Sequence, residues 1–188
     1  MKYKIGIFGS SAGDMSISLP KAEELGQVLG QYSDKVTIIT GACSGIPYAA
    51  AKVAADRGVN IWGYSPMLDL KGQRKFTPDD DISIYTKLVY VPANFEYADN
   101  DLVRKKYRNV LSTSSCDAGI IISGRWGSLN EFTNLIDLQK VVGVLTDTGG
   151  IADELVQLNK KIYKEGQGRI VFNNDPQELV NAIFTSLM

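Results

Sequence analysis

One stretch limits the folds open to this chain: Ile120-Ile121-Ile122-Ser123-Gly124-Arg125-Trp126-Gly127-Ser128-Leu129-Asn130-Glu131. Three β-branched apolar residues in a row mark a strand buried on both faces. A loop with two glycines follows. Leu129, Phe132 and Ile136 then recur at helical spacing, so a helix begins near Gly127 or Ser128. A strand, a glycine loop and a helix in that order aim unpaired backbone N–H groups, and the positive end of the helix dipole, at an anion. Glu131 sits about one turn into this helix. A carboxylate repels phosphate, so it suits a neighbouring sugar hydroxyl or a developing cation. The alternative is that it only offsets the dipole.

The same unit recurs along the chain. Strands are expected at Lys4–Phe8, Val36–Thr40, Val59–Tyr64, Tyr85–Val91, Ile120–Ile122, Val141–Leu145 and Arg169–Phe172. Helices are expected from Pro20 to about Gly30, from Tyr48 to Arg57, from Asn100 to Ser112, from the central loop to Lys140, from Gly150 to Asn159, and from Pro176 to about Leu187. Strands separated by helices of this length pair in parallel through right-handed crossovers. The expected fold is α/β: a Rossmann-like, doubly wound, mostly parallel sheet of about seven strands with helices on both faces. With 188 residues and no composition break, residues 1–188 read as a single nucleotide-binding domain.

Composition narrows the chemistry. The chain has no histidine, which removes Ser-His-Asp and Cys-His catalysis and histidine-bearing zinc sites. Cys43 and Cys116 are too few for an all-thiolate zinc site, and they suit a reducing, cytoplasmic setting. No run is long and apolar enough to span a membrane, so no membrane partner is expected. The formal charge is −1 and no basic stripe is visible, so no nucleic-acid partner is expected either.

Two more loops resemble the central one in position. Gly9-Ser10-Ser11-Ala12-Gly13-Asp14 follows the first strand, and Gly41-Ala42-Cys43-Ser44-Gly45 follows the second. The first is not GxGxxG. Asp34, near the offset of a ribose-binding acid, precedes the second strand instead of ending it, which argues against an NAD dehydrogenase. Met67 to Ser83 is the least regular segment and reads as a solvated excursion rather than a lid. Its Asp79-Asp80-Asp81 run reads as a solvated turn rather than a Mg²⁺ site. Arg104, Lys105, Lys106 and Arg108 crowd one helix, with most of these charges expected on its wet face.

Ser123-Gly124-Arg125-Trp126-Gly127-Ser128-Leu129-Asn130-Glu131 resembles the PGGxGTxxE motif of the LONELY GUY family, long misnamed lysine decarboxylases. Arg108 stands nine positions before Asp117-Ala118, at the offset of that family's catalytic arginine. Arg108-Asn109 and Thr148-Gly149-Gly150 are more similar to the relatives grouped with molybdenum-cofactor carrier proteins. The resemblance runs from Ile5 to about Leu187. It implies a Rossmann-like sandwich, a homodimer or larger, and no cofactor or metal. The LONELY GUY members cleave the N-glycosidic bond of nucleoside monophosphates to a free base and ribose 5-phosphate, and the carriers bind a phosphorylated pterin. Decarboxylation would need a lysine Schiff base to pyridoxal phosphate, and no lysine lies in or near the motif. The chain departs from the motif at Ser123, at Arg125 in place of the second glycine, and at Asn109 in place of a lysine.

Two functional readings remain open. In the first, a phosphorylated nucleotide or pterin-type ligand binds at the carboxyl edge of the sheet, against Gly9, Ser10, Ser11, Gly41, Ser44, Gly45, Gly124, Arg125, Trp126, Gly127 and Ser128. In the second, the chain is a nucleoside 5′-monophosphate phosphoribohydrolase. There Arg108 and Glu131 would be catalytic: Glu131 would hold ribose hydroxyls and an oxocarbenium-like transition state, and Arg108 would orient the substrate. Arg125 costs backbone strain if the second glycine is needed for positive φ, or else supplies a guanidinium to the phosphate.

Overall fold

The computed structural model describes residues 2–162 and 165–188. Seven strands form one sheet: β1 (Tyr3–Gly9), β2 (Val36–Thr40), β3 (Asn60–Tyr64), β4 (Tyr85–Val89), β5 (Ala118–Ile122), β6 (Val141–Leu145) and β7 (Ile170–Asn173). Every pairing is parallel, and the spatial order is β4-β3-β2-β1-β5-β6-β7. The chain walks outward from β1 to β4, returns to lay β5 beside β1, and walks out the other way. Strand order therefore reverses between β1 and β5. In an open parallel sheet that is where the loops leaving the carboxyl ends diverge and open a crevice.

The helices are α1 (Ser18–Gly30), α2 (Ile46–Ala55), α3 (Leu70–Phe76), α4 (Asp101–Ser114), α5 (Trp126–Asp137), α6 (Gly150–Lys161) and α7 (Pro176–Leu187). The period-two alternation of strand side chains divides the core into two layers. Ile5, Ile7, Ile38, Ile120 and Ile122 face Leu25, Ala50, Ala54 and Leu179 of α1, α2 and α7. Phe8, Ile39, Ile121 and Val144 face Phe132, Leu135 and Leu155 of α5 and α6. The inner strands β2 and β5 are buried throughout, which is why they read as unbroken apolar runs, whereas β4 and β7 at the edges are only half-buried.

The segment from Met67 to Ser83 is more ordered than its sequence suggests. It contains α3, capped by Asp69, whose carboxylate accepts from the Gly72 N–H at 2.6 Å. Seven residues are too few for hydrophobic periodicity to show, and the helix is held by a tertiary bond instead. Gln73 is fully buried and donates to the Ala42 carbonyl at 3.0 Å. Asp81 caps a 3-10 turn at Ile82–Ile84, and Asp80 accepts from the Ser44 hydroxyl at 2.8 Å. The described residues contain no group of carboxylates, thiols or imidazoles arranged to hold a metal. None of their helices is long and apolar enough to cross a membrane.

Candidate functional site

β1 and β5 end side by side, with Gly9 paired to Ile122, so their loops leave the sheet together. The β5 loop is bent by Ser123 (φ 50) and Gly124 (φ 96), both in the left-handed region. A Cβ on Gly124 would stand 2.4 Å from the Ser128 side chain, so this glycine meets both a conformational and a steric demand. Arg125, where the family has its second glycine, is extended (φ −133, ψ −150). That conformation suits any residue, so the expected strain at Arg125 is absent and the non-glycine in the left-handed region is Ser123.

The loop is stitched to its neighbours through its own backbone. The Ser123 N–H donates to Thr148 Oγ1 at 2.8 Å, and that hydroxyl donates to the Leu145 carbonyl at 2.7 Å. The Gly124 N–H donates to Ser10 Oγ at 3.1 Å. The carbonyls of Ser123 and Gly124 accept from Ala152 and Ile151 at the start of α6. Gly124 therefore cannot lend its N–H to a ligand. The row of free donors is shorter than the sequence suggests: the backbone N–H groups of Arg125, Trp126, Gly127 and Ser128 have no partner among the described residues. The first intrahelical bond is that of Leu129 to the Arg125 carbonyl.

Below this helix start lies a cavity of about 130 Å³ lined by Gly9, Ser10, Ser11, Gly41, Arg108, Arg125, Gly127, Ser128 and Glu131, together with Cys43 and Asn109. On a liquid-water scale it holds on the order of four water molecules, a phosphate-sized space. Nine of the thirteen residues singled out from sequence thus meet around one cavity, drawn from three loops, α4 and α5. Ser44 lines the adjoining larger cavity. Gly45 and Gly124 are outside both linings; Gly45 precedes α2, where the Ile46 N–H donates to the Ser10 carbonyl at 2.8 Å. Trp126 places its backbone at the helix start, but the residue is 81% exposed.

Arg108 and Glu131 are both buried here. One terminal nitrogen of Arg108 donates to the Gly41 carbonyl, while its Nε has no partner among the described residues. A Cβ on Gly41 would lie 1.7 Å from Arg108 Nη1, so the absence of a side chain there lets the guanidinium rest on this backbone. Glu131 lies beyond the first turn of α5, and no group among the described residues hydrogen-bonds its carboxylate. A surface carboxylate offsetting the dipole would have neither property. Burial pushes its pKa up to about 7, and the positive charges of Arg108 and Lys106 only partly offset this. Burial also raises the Cys43 thiol, opposed by Arg108, so Cys43 is a neutral group in the wall rather than a thiolate nucleophile.

The charged helix α4 divides differently from the expectation of a largely wet face. Arg104 and Arg108 are buried, and Lys105 and Lys106 are exposed. Arg104 is a strut: it donates to the Pro66 carbonyl at 2.9 Å and also to Ala98 and Asp101. Sequence reasoning did not place Cys43, Phe76, Lys105 or Lys106 at the site. The signal available for Lys105 was its spacing, three residues before Arg108 and four before Asn109, which puts all of them on one side of a helix.

The sequence profile of the SLOG cluster4 family matches residues 2–180. No curated protein matches. Among solved structures, TM1055 is 19% identical with a TM-score of 0.76 over 98% of this chain and 99% of its own. The molybdenum cofactor binding protein of the phototrophic bacterium Rippkaea orientalis is 19% identical with a TM-score of 0.70 over 100% and 99%. DNA processing protein A of Helicobacter pylori, described with a single-stranded DNA binding mode, is 17% identical with a TM-score of 0.65 over 98% and 81%. That last likeness overturns the exclusion of nucleic acid drawn from charge. A protein of this fold binds single-stranded DNA, and net charge is a sum over the whole surface that conceals local cations such as Lys105, Lys106 and Arg125 at one cleft. The profile match spans nearly the whole chain and agrees with the motif around Glu131, and on this ground the chain belongs to the SLOG cluster4 family.

Proposed function

We propose that the protein binds a phosphorylated nucleotide, or a related phosphorylated ligand, in the crevice between β1 and β5. The observation that carries this reading is the unpartnered N–H row from Arg125 to Ser128 over a phosphate-sized cavity that also holds Arg108. Backbone donors, a helix dipole and a guanidinium converge there on one anion. The whole chain serves this site as a single unit, since loops from both halves of the sheet wall it. The molybdenum cofactor binding proteins of this fold support a phosphorylated heteroaromatic ligand by analogy. Titration calorimetry with AMP tests the reading. Saturable one-to-one binding, displaced by inorganic phosphate, is expected, and heat no greater than that of adenosine alone would end it.

The unbonded, buried carboxyl of Glu131 favours a second reading, phosphoribohydrolase activity. Water would add to C1′ of a nucleoside monophosphate as the N-glycosidic bond breaks, with the base leaving with a proton. Ionised Glu131 would stabilise the cationic sugar between these events. Because burial raises the pKa of this carboxyl to about 7, turnover should rise with pH through that value. Chromatography of AMP incubations for adenine and ribose 5-phosphate reads this directly.

A further inference from the structure

The phosphate-sized cavity opens into a second one of about 820 Å³. The two share Ser11, Cys43, Arg108, Asn109 and Gly127 in their linings, so they form one continuous cleft. Ligand pockets run from roughly 300 to 1,000 Å³, and this outer chamber alone lies near the top of that range. A nucleoside monophosphate anchored by its phosphate in the inner cavity leaves much of it unfilled.

At the junction stands Asn109, 4% exposed. Its amide nitrogen donates to Asn130 at 3.1 Å, while its Oδ1 is buried without a partner. Arg108 Nε is likewise unpartnered. The unpaired acceptor and donor lie within the wall the two cavities share, a combination that native interiors seldom leave in place. Beyond them lie Phe76, Lys105 and Lys106. The Lys105 ammonium is 5.7 Å from the centre of the Phe76 ring. Neither lysine is ion-paired among the described residues, where the ion pair is that of Arg104 with Asp101.

We infer that the ligand carries a second anionic group, held by Lys105 and Lys106 in the outer chamber, with its ring system crossing the junction past Asn109 and packing toward Phe76. This deepens the proposed phosphate-binding reading and rests on it. A small molecule with two anions is favoured over a polynucleotide because the two joined cavities, of about 820 and 130 Å³, make a bounded cleft of small-molecule size rather than a track along the surface.

The test is calorimetric titration of the full chain with AMP, with adenosine 3′,5′-bisphosphate and with a 5′-phosphorylated diadenylate, which set the second phosphate at two distances. The wild type should bind at least one of the doubly anionic ligands about tenfold more tightly than AMP, the scale of a charge-assisted contact. The double variant Lys105→Ala/Lys106→Ala should lose that preference. Both lysines are exposed, so the variant should fold, and an unchanged thermal midpoint verifies this. If AMP binds and neither ligand is preferred, or if the variant keeps the preference, the inference fails and the phosphate site stands. If none of the three binds, both fail. Tighter lysine-dependent binding of a twenty-nucleotide single strand than of either ligand overturns the inference in favour of a polynucleotide track.

Discussion

Arg108 depends on a neighbour with no side chain. Its guanidinium occupies the place a Cβ on Gly41 would take, so Gly41→Ala should displace it without touching it chemically. AMP affinity should fall about tenfold or more, as in loss of a charge-assisted contact, while Gly41→Ala combined with Arg108→Ala should bind no worse than Arg108→Ala alone. Additive losses in calorimetry would show that the two residues act separately. Arg125 needs no glycine-like backbone, so Arg125→Gly relieves no strain there. It removes a cation at the rim of the inner cavity, and AMP binding should weaken by roughly 1–3 kcal/mol. Unchanged affinity would mean that the exposed Arg125 side chain does not reach the ligand. Glu131 gives a prediction with a fixed sign. Its folded-state pKa of about 7 exceeds its ordinary 4.5. Between those values the unfolded chain has released a proton that the folded chain keeps. Stability from this group therefore falls as pH rises through that window, and the full penalty, roughly 3 kcal/mol, is present above it. Glu131→Gln should be stabilising relative to wild type at pH 8 and much less so at pH 5. Equal differences in urea midpoints at the two pH values would contradict this.

At the scale of elements, the β5 loop is held by groups far away in sequence. Thr148, after β6, accepts from the Ser123 N–H and donates to the Leu145 carbonyl, and α6 begins by donating to the same loop. Thr148→Val keeps the shape and deletes the hydroxyl, leaving a buried N–H without an acceptor. A loss of about 1–3 kcal/mol is expected in urea denaturation. A loss of a few tenths would mean that water replaces the hydroxyl. These links explain what was legible here. The strand, the turn and the helix are local, so Ile120–Ile122 and the start near Gly127 could be read from sequence. That Ser10 takes the Gly124 N–H could not, because the partners are 114 residues apart. α3 escaped notice for a related reason. Its seven residues include Gly72, and the bond from Gln73 to Ala42 that holds it lies outside the segment.

For the whole molecule, the proposed ligand site follows from where strand order reverses. Had β5 paired outside β4, the Gly9 and Ser123 loops would stand at opposite ends of the sheet and no cavity would join them. A ligand bound between them bridges the two halves, so inorganic phosphate at millimolar concentration should raise the thermal midpoint. Binding to the native state alone stabilises by about 2.7 kcal/mol at a hundredfold excess over Kd, which is several degrees for a chain of this size. Sulfate should act similarly and chloride at equal ionic strength should not. A shift common to all three salts would be a general salt effect.

The sequence by itself determined the class of fold. Short β-branched runs alternating with longer helical segments admit little besides a parallel sheet with crossovers on both faces. It also marked Glu131 and the glycine loops, because turn chemistry and helix starts are written in neighbouring residues, whereas Arg108 was marked only by the family resemblance. The tertiary structure decided which of these meet. It brought Gly41 under Arg108, withdrew the Gly124 N–H from the row of free donors, buried Glu131, and turned Lys105 and Lys106 toward the same cleft. Those outcomes depend on contacts between residues distant in the chain, and local periodicity carries no record of them.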